Sequence, residues 1–292
     1  MPARTRSKKA PIRSSSKAGS SLLAPSKVRS FQNKIYNYYD NHGRDLPWRR
    51  RVTPYRVLIS EIMLQQTQVD RVIEKYKEFL AAFPEFKALA QAPMAKLLKI
   101  WSGMGYNRRA LSLKKLAQAV VTEHKGRLPS DPEQLVELPG IGPYTAGAVA
   151  AFAFNKPVVF MDTNIRRVYI HELLRDGDNI RDEQLLPLVQ QTIDTKDPAK
   201  WYNALMDYGS MLKKEQVNPN KRSAHYTRQS AFENSNRQVR GKILKVLVEG
   251  QSLTADRIIK VTGMDAARVT KNLEQLRCEG FIVRKRDRYL IA

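Results

Sequence analysis

The sequence is poor in cysteine, in acidic residues and in long apolar runs, and each shortage excludes a class of protein. Its 292 residues include one cysteine, Cys278, so an intramolecular disulfide and a cysteine-rich metal site are both excluded. No apolar run has the length of a membrane span, and no lipidation motif is present. The N-terminus lacks the apolar stretch of a secretion signal. We therefore expect an intracellular protein, cytoplasmic or associated with the nucleoid, without a membrane partner.

The scarcity of acids leaves the chain strongly basic. It has 51 Lys and Arg residues against 28 Asp and Glu residues, which gives a formal net charge of +23. Each cation that neutralises a phosphate releases a counterion, so an excess of this size favours a nucleic-acid partner. A ribosome-associated factor would show the same bias and would also bind nucleic acid. The charge therefore predicts the class of partner and leaves the activity open.

Residues 1–29 are predicted to form a disordered basic tail. They contain eight Lys and Arg residues, no acid, and many Ser, Ala and Pro residues, a composition that does not support an apolar core. Such an arm can add nonspecific affinity for DNA. A solvated tail or the remnant of an organelle-targeting sequence would have a similar composition, so the function of this segment stays open.

Helical periodicity starts at Phe31, where Phe31, Ile35 and Tyr38 share one face. No alternating apolar–polar run is long enough for a substantial sheet in the residues that follow. We therefore predict an all-α core domain over residues 30–212, without internal repeats. Its later helices are predicted at 55–65, 68–82, 94–101, 109–124, 131–137, 143–154, 163–174, 182–194 and 198–212.

A polar, basic linker at 213–236 separates this core from a small second domain at 237–292. The pattern of the second domain predicts three helices followed by a β-hairpin, which is the α+β arrangement of a winged helix-turn-helix. Its helices are expected at 237–248, at 255–261 with Thr254 as cap, and at 265–279 with Asp265 as cap, and its hairpin at 281–291 around a turn at 285–287.

The third helix and the hairpin of this second domain are rich in side chains suited to phosphate or base contacts. Docking of another protein is the alternative use of such a domain, but the clustered cations favour DNA. The candidates are Arg268, Lys271, Asn272 and Gln275 on the helix, and Arg284, Lys285, Arg286 and Arg288 on the hairpin.

Three segments of the core carry the chemistry: SEIMLQQTQV at 60–69, LPGIGPYTAG at 138–147 and MDTNIR at 161–166. They supply an isolated acid at Glu61, a glycine-punctuated turn and a second isolated acid at Asp162. In order and spacing they resemble the helix-hairpin-helix DNA glycosylases, specifically the MutY-like adenine glycosylases, over roughly two thirds of the chain. The resemblance implies a helix-hairpin-helix glycosylase fold for the core. It also implies base excision repair of adenine mispaired with 8-oxoguanine or guanine.

The chemistry of excision explains why two acids are needed. Breaking the bond between a base nitrogen and C1′ requires a proton donor near the base and an anion near the sugar, which develops positive charge. Glu61 lies among apolar helix residues that should raise its pKa, whereas Asp162 precedes a helix whose amides should keep it ionised. Taken alone, the first would be a solvated surface acid and the second a helix N-cap, and the surrounding motifs favour catalysis instead.

The resemblance implies roles for four residues. Glu61 would protonate adenine and later assist the water, and Asp162 would stabilise the oxocarbenium ion or act as nucleophile. Asp162 stands twenty residues after Gly142, as in the family, and Asn164 occupies a position that hydrogen-bonds this carboxylate. Tyr144 occupies the place of the Schiff-base lysine of bifunctional relatives. This implies a monofunctional enzyme, in which Tyr144 hydrogen-bonds near Asp162.

The resemblance also implies contacts with double-stranded DNA that contains a mismatched or damaged pair, bound by a monomer. Gly140 and Gly142 belong to the hairpin, whose exposed amides can hold a DNA phosphate. Gln66 and Tyr106 match residues that fill the gap left by the flipped base. The positions that line the base pocket are Trp48, Arg49, Leu64 and Asn203, of which Asn203 stands where the family usually has Gln or Glu.

Two features depart from the family. The four cysteines that hold an iron–sulfur cluster in MutY proteins are replaced, so no metal and no other cofactor is expected. The basic linker, with Lys221 and Arg222, is expected to supply DNA contacts in place of the cluster loop. The residues after Asn236 are too few for the Nudix-like domain that recognises 8-oxoguanine, which leaves the opposite base open. The cysteine positions are taken by Lys213, Asn220, Ser223 and Gln229.

Two other functions fit the same residues. A mismatch uracil or thymine glycosylase on the same fold would share Asp162 and Tyr144, and only the run at 63–67 favours adenine. A noncatalytic DNA-binding or regulatory protein could also reuse such a core. The presence of both Glu61 and Asp162 argues against this second alternative.

Overall fold

The computed structural model describes residues 23–215, 218–228, 231–250 and 252–292, and it is mainly helical. The predicted all-α core is confirmed, since every strand in these described ranges lies after residue 250. The core helices are α1 (Pro25–His42), α2 (Pro47–Arg50), α3 (Pro54–Leu64), α4 (Val69–Ala82), α5 (Phe86–Gln91), α6 (Met94–Trp101), α7 (Arg108–Glu123), α8 (Pro132–Glu137), α9 (Pro143–Phe154), α10 (Thr163–Leu173), α11 (Asp182–Thr192) and α12 (Pro198–Glu215), followed by a 3-10 helix at Pro219–Arg222.

Local sequence explains where these helices begin. Proline occupies the first turn of α1, α3, α8 and α9, where its missing amide hydrogen costs nothing. Thr53 and Asp131 cap α3 and α8 through their side-chain oxygens. The periodicity misses α2 and α5, which are four and six residues long. No helix of the described ranges combines the length and the apolar character needed to cross a membrane.

The core helices form two lobes, each with its own apolar interior. Helices α2–α8 pack around buried side chains that include Phe79 and Trp101. Helix α1 packs with α10–α12 around a second set that includes Tyr169 and Trp201. Helix α9 belongs to both interiors and is apolar all round, as expected for a helix without a solvent face. The two lobes therefore meet along α9.

This arrangement places Glu61 in the first lobe and Asp162 in the second. Glu61 is on α3, which contacts α9 in the first lobe, and Asp162 is the N-cap of α10 in the second lobe. The segment that leads into Asp162 approaches α9 closely, since a Cβ atom added at Gly147 would lie 2.7 Å from the Cβ of Phe160. The glycine of α9 thus permits the contact that brings the two acids together.

The C-terminal unit has the elements expected from the sequence, plus one strand. Its described strands form a three-stranded antiparallel sheet in which the last strand lies between the other two, and its first helix packs against α6 of the core. Thr254 and Asp265 cap their helices as predicted. The first strand was not predicted, because its pairing with the distant last strand leaves no local signal. The elements are α13 (Asn236–Gly250), β1 (Ser252–Thr254), α14 (Ala255–Thr262), α15 (Ala266–Cys278), β2 (Ile282–Lys285) and β3 (Arg288–Ile291).

Two predicted boundaries shift in the structure. Helix α1 begins at Pro25, inside the segment 1–29 predicted to be disordered, and the Leu23 amide donates to the Gln191 side chain at 2.7 Å. Residues 1–22 lie outside the described residues. Helix α12 extends to Glu215 and is followed by the 3-10 helix, so the predicted linker 213–236 contains ordered helical turns packed on the core.

Gly209 of α12 offers a test of the contact that holds Asp162 in place. A Cβ atom at Gly209 would lie 2.6 Å from the carbonyl oxygen of Asn164, in the first turn of α10. Gly209→Ala should displace this turn and lower the free energy of unfolding by about 1–3 kcal/mol, the usual cost of overpacking. Urea unfolding followed by circular dichroism measures the change.

The matched control is Gly241→Ala in α13, where nothing lies within 4 Å of an added Cβ atom. Replacing a helical glycine by alanine in open space should raise the free energy of unfolding by up to about 1 kcal/mol. Equal changes in the two variants would contradict the close approach of α12 to α10.

Candidate active site

Glu61 lies on the inner face of α3 and is 8% exposed. One carboxylate oxygen, Oε2, accepts a hydrogen bond from the Tyr144 hydroxyl at 3.1 Å. Burial raises the pKa of Glu61 to about 7, and the hydrogen bond from Tyr144 lowers it only in part. The nearby charge of Asp162 raises the pKa further, while Arg49 lowers it. Glu61 is thus a carboxyl group that is substantially protonated near neutral pH.

Asp162 has a different set of partners, because it caps α10. Its Oδ1 accepts the backbone amides of Asn164 at 2.7 Å and Ile165 at 2.8 Å. Its Oδ2 accepts the Asn164 side-chain amide at 3.3 Å, which agrees with the predicted partnership. Burial raises the pKa of Asp162 above its ordinary value, and the two backbone amides, then Arg167 and Arg166, offset this rise only in part. These donors favour the carboxylate form of Asp162.

Tyr144 stands in the first turn of α9, between the two acids. Its hydroxyl donates to Glu61, and its ring packs edge-on against Phe160 with centroids 5.9 Å apart. Burial, then the charges of Glu61 and Asp162, raise the pKa of Tyr144 well above its usual value. The phenol therefore stays neutral and acts as a hydrogen-bond donor. Its hydroxyl bonds to Glu61, whereas a contact near Asp162 was expected from the sequence.

Arg167 orients the side chain that holds Asp162. It is a buried residue of α10, and its guanidinium donates to the Asn164 side-chain oxygen at 2.8 Å and to the Gly209 carbonyl at 2.6 Å. Its Nε donates to the Asn218 side chain at 3.0 Å. Fixing the oxygen of Asn164 turns its amide nitrogen toward Asp162. Arg167 was not predicted as a site residue, although an arginine at the buried position of an amphipathic helix is an available signal.

Arg49, a predicted pocket residue, forms a largely buried ion pair with Asp207. Its two terminal nitrogens donate to Asp207 at 2.8 and 2.9 Å, in the bidentate geometry that arginine and carboxylate favour. The Arg44 amide and Nε also donate to Asp207, both at 2.7 Å. These donors lower the pKa of Asp207 in spite of the opposing effect of its burial. The positive charge of Arg49 also lowers the pKa of Glu61.

The other three predicted pocket residues are Trp48, Leu64 and Asn203, and each is buried or half-buried. Trp48 is 8% exposed and packs edge-on against Tyr76, with ring centroids 5.6 Å apart, as a core aromatic does. Leu64 is half-buried at the end of α3, and Asn203 is half-buried on α12. Of the predicted pocket set, Arg49 alone acts electrostatically on Glu61 in the described interactions.

Gln66 and Tyr106, the predicted gap-filling residues, share an uncommon backbone conformation. Their φ angles are +53° and +47°, in the left-handed region that bulky residues rarely adopt. Backbone strain of this kind is often concentrated at functional sites. Gln66 is exposed, and Tyr106 is half-buried in the loop between α6 and α7.

Arg109 holds the two strained loops together. Its Nη1 donates to the carbonyls of Ile62, Met63 and Gln65, at 2.9, 3.0 and 2.5 Å. Its Nη2 donates to the Thr67 hydroxyl and the Met104 carbonyl, at 3.1 and 3.0 Å. One guanidinium thereby links the loop of Gln66 to the loop of Tyr106. Arg109 was not predicted as a site residue, because no local sequence pattern shows that a side chain will bond to two loops that are distant in sequence.

The glycine hairpin has the geometry its sequence implies. Gly140 has a φ of +82°, and a Cβ atom there would lie 2.6 Å from the Cβ of Ser112. Gly142 is exposed and is the N-cap of α9, so the amides of the first turn point out of the helix end beside it. A phosphate of DNA can approach this end of α9.

The predicted DNA-binding cations of the C-terminal unit lie on its surface. Lys271, Arg284 and Arg286 are exposed, whereas Arg268 is half-buried and donates to the Asn234 carbonyl at 2.7 Å. The prediction was wrong for Asn272, which is 1% exposed and donates to the Arg268 carbonyl of its own helix. Because Asn272 lies on the buried, apolar side of α15, it cannot reach into a groove of DNA.

The segment that replaces the cluster loop is built from hydrogen-bonding side chains and does not fit an iron–sulfur cluster. Asn220 is buried and donates to the Thr163 carbonyl at 2.8 Å, beside Asp162. Ser223 is buried and accepts the His225 amide at 3.1 Å. Neither supplies the thiolate that iron requires. The position at Gln229 lies outside the described residues.

Arg222 of this segment has a structural role that corrects the expectation of a DNA contact. Its guanidinium donates to the carbonyls of Ile170, Leu174 and Gly177, at 3.1, 2.8 and 3.0 Å. These carbonyls lie at and beyond the C-terminal end of α10, where a cation is favourable. Lys221 is exposed and stays available for contacts with a partner.

Comparisons with known proteins bear on this site. Residues 59–186, which include both acids, match the family described as HhH-GPD superfamily base excision DNA repair protein. The adenine DNA glycosylase of Mycolicibacterium smegmatis is 33% identical over 278 residues, which cover 89% of this chain and 95% of that protein. That of Buchnera aphidicola subsp. Baizongia pistaciae is 38% identical over 187 residues, which cover 62% of this chain.

Among solved structures, that of a thermostable thymine-DNA glycosylase has a TM-score of 0.61 and 28% sequence identity, covering 66% of this chain and 91% of that one. The chain spans about half the length of the Buchnera relative, 52%, and nearly all of the Mycolicibacterium relative. The chain belongs to the HhH-GPD superfamily of base excision DNA repair proteins and, within it, to the family of adenine DNA glycosylases.

Proposed function

We propose that the protein is a monofunctional DNA glycosylase that hydrolyses the N-glycosidic bond of mispaired adenine, opposite 8-oxoguanine or guanine. The observation that carries the proposal is the difference between two neighbouring acids. Burial raises the pKa of Glu61 to about 7, whereas Asp162 accepts two backbone amides that favour its ionised form. A proton donor beside an anion is the arrangement that excision of a base requires.

In the proposed reaction, protonated Glu61 transfers its proton to a ring nitrogen of the flipped adenine. The bond from the base to C1′ then breaks, and the bonding electrons leave with adenine. The ionised carboxylate of Asp162 stabilises the positive charge on the sugar. Glu61, now a carboxylate, takes a proton from the water that adds to C1′ and returns to its starting state. The products are free adenine and an abasic site.

Tyr144 supports the monofunctional assignment. A lyase of this fold needs an amine at this position to form a Schiff base with the sugar, and a phenol cannot form one. The hydrogen bond from Tyr144 to Glu61 also stabilises the carboxylate that forms after proton transfer. We propose that the enzyme works without an iron–sulfur cluster, because Asn220 and Ser223 have no thiolate and bond instead to the Thr163 carbonyl and the His225 amide.

A mismatch thymine or uracil glycosylase is the second candidate. The likeness to the thermostable thymine-DNA glycosylase structure, at 28% identity and a TM-score of 0.61, favours it. The adenine assignment has the stronger support, because the Mycolicibacterium adenine glycosylase matches 89% of this chain, compared with 66%. The buried, protonated state of Glu61 also suits adenine, whose departure depends on protonation.

Single-turnover excision on a panel of duplexes tests the proposal. Adenine is placed opposite 8-oxoguanine, guanine and cytosine, and uracil and thymine are placed opposite guanine; alkali then reveals abasic sites. Adenine opposite 8-oxoguanine or guanine should be excised, and Asp162→Asn should bind the same duplex while excision falls by more than about 100-fold. Excision of thymine or uracil alone would support the second candidate. Binding without excision on every duplex would identify a noncatalytic DNA-binding protein.

The pH dependence of excision follows from the state of Glu61. Its acid form is the active one, and its pKa is raised from 4.5 to about 7. The single-turnover rate on adenine should therefore fall as pH rises through about 7, by about tenfold per pH unit above it. Protonation of Asp162 should lower the rate at acidic pH. Rates measured between pH 5 and 9, at saturating enzyme, check the profile, and a flat profile above pH 7 would rule out Glu61 as the proton donor.

A further inference from the structure

The Tyr106 side chain is held by two arginines that come from different parts of the fold. The guanidinium of Arg109, from α7 of the core, lies 5.4 Å from the centre of the Tyr106 ring. The guanidinium of Arg237, from the C-terminal unit, lies 5.0 Å from the same ring centre. Arg237 also donates from Nη1 to the Tyr106 hydroxyl at 2.5 Å. The ring therefore connects the core to the C-terminal unit.

On the core side, Arg109 fixes the backbone of the loop. It ties the carbonyl of Met104, two residues before Tyr106, to the end of α3. Its guanidinium also lies 5.4 Å from the Trp101 ring, and burial lowers its pKa to about 10, so it stays charged at neutral pH. The left-handed conformation of Tyr106 is thus imposed by the core, whereas the hydroxyl end of its side chain is bonded to Arg237.

On the other side, a shared carboxylate fixes the unit that carries Arg237. Glu279, at the end of α15, accepts Arg108 of the core at 2.9 and 2.6 Å. The same carboxylate accepts Arg240 of α13 at 3.0 and 2.5 Å. Hydrogen bonds and charge from the two arginines lower the pKa of Glu279 to about 2, so the link stays ionised at neutral pH. Arg240 lies one helical turn after Arg237. The contact of Arg240 with Glu279 therefore anchors the N-terminal end of α13 beside the loop.

We propose that Arg237 is a positioning residue that sets the Tyr106 side chain for insertion into the base stack, and that the C-terminal unit is therefore a working part of the excision machinery. The inference rests on the proposed function, because Tyr106 is the residue expected to fill the gap left by the flipped base. A ring that is ordered before DNA arrives loses less conformational freedom on insertion. The C-terminal unit acts in this way on the same loop that Arg109 holds from the core.

Two variants remove the two ends of the bond between the C-terminal unit and the loop. Arg237→Met deletes the donor and the charge and keeps an unbranched side chain, and Tyr106→Phe deletes the acceptor and keeps the ring. Arg257→Met is the matched control, because Arg257 is an exposed arginine of α14 and its loss changes the net charge equally. Thermal unfolding of each variant shows that it is folded.

Two measurements on duplex DNA report on insertion. The first is the single-turnover excision rate at saturating enzyme on adenine opposite 8-oxoguanine, together with the affinity for an undamaged duplex. The second is the fluorescence of 2-aminopurine beside a tetrahydrofuran abasic site, which rises when neighbouring bases unstack and does not depend on which base the enzyme excises. A residue that only supported the fold would change unfolding or affinity, and would leave the rate at saturation unchanged.

Arg237→Met and Tyr106→Phe should each lower the excision rate and the fluorescence rise by about tenfold, and the double variant should lose no more than either single one. Arg257→Met should match the wild type in both. The inference is overturned if Arg237→Met matches Arg257→Met, or if the effects of the two single variants simply add. If the wild type excises no base, the proposed function fails, and the fluorescence result alone then decides the role of Arg237.

Discussion

Glu61 is buried and Asp162 is half-buried at the junction of the two lobes, and the cost of burying carboxylates shapes the structure around them. The helix end of α10 supplies amides to Asp162, and the Asn164–Arg167 pair braces its second oxygen. Among the described residues, Glu61 accepts a hydrogen bond from the Tyr144 hydroxyl alone. A pKa raised from 4.5 to about 7 corresponds to roughly 3 kcal/mol against ionisation, and this cost is what makes Glu61 a proton donor.

Much of this site could be predicted from local sequence. A helix-capping aspartate and an acid on an apolar helix face are both visible in short segments, and they correctly gave Asp162 its cap and Glu61 its apolar surroundings. They did not show that burial raises the pKa of Asp162 as well. The Arg49–Asp207 pair was missed because its members are 158 residues apart and each is ambiguous alone. Strand β1 was missed for the same reason. Asn272 was misassigned because a helical pattern alone did not show which side of α15 packs inward.

The same kind of long-range contact joins the C-terminal unit to the core. Arginines dominate the long-range contacts of both parts: Arg109 links two loops of the core, Arg222 bonds to the end of α10, and Arg108 of the core shares Glu279 with Arg240 of the C-terminal unit. A guanidinium can make such contacts because its planar group of five N–H donors can bond to several carbonyl or carboxylate oxygens at once. Part of the large positive charge is therefore structural. The remaining exposed cations, on the hairpin and on α15, stay available for a polyanion.

The most direct measurement of the central claim is the titration of Glu61 in the free protein, followed by the side-chain carboxyl carbon signals of 13C-labelled glutamate. Glu61→Gln assigns the signal by its disappearance. The structure predicts one glutamate that titrates near pH 7, well above the ordinary value of 4.5. If the signal lost in Glu61→Gln titrates near 4.5 instead, Glu61 is ionised at neutral pH and cannot be the acid that releases the base.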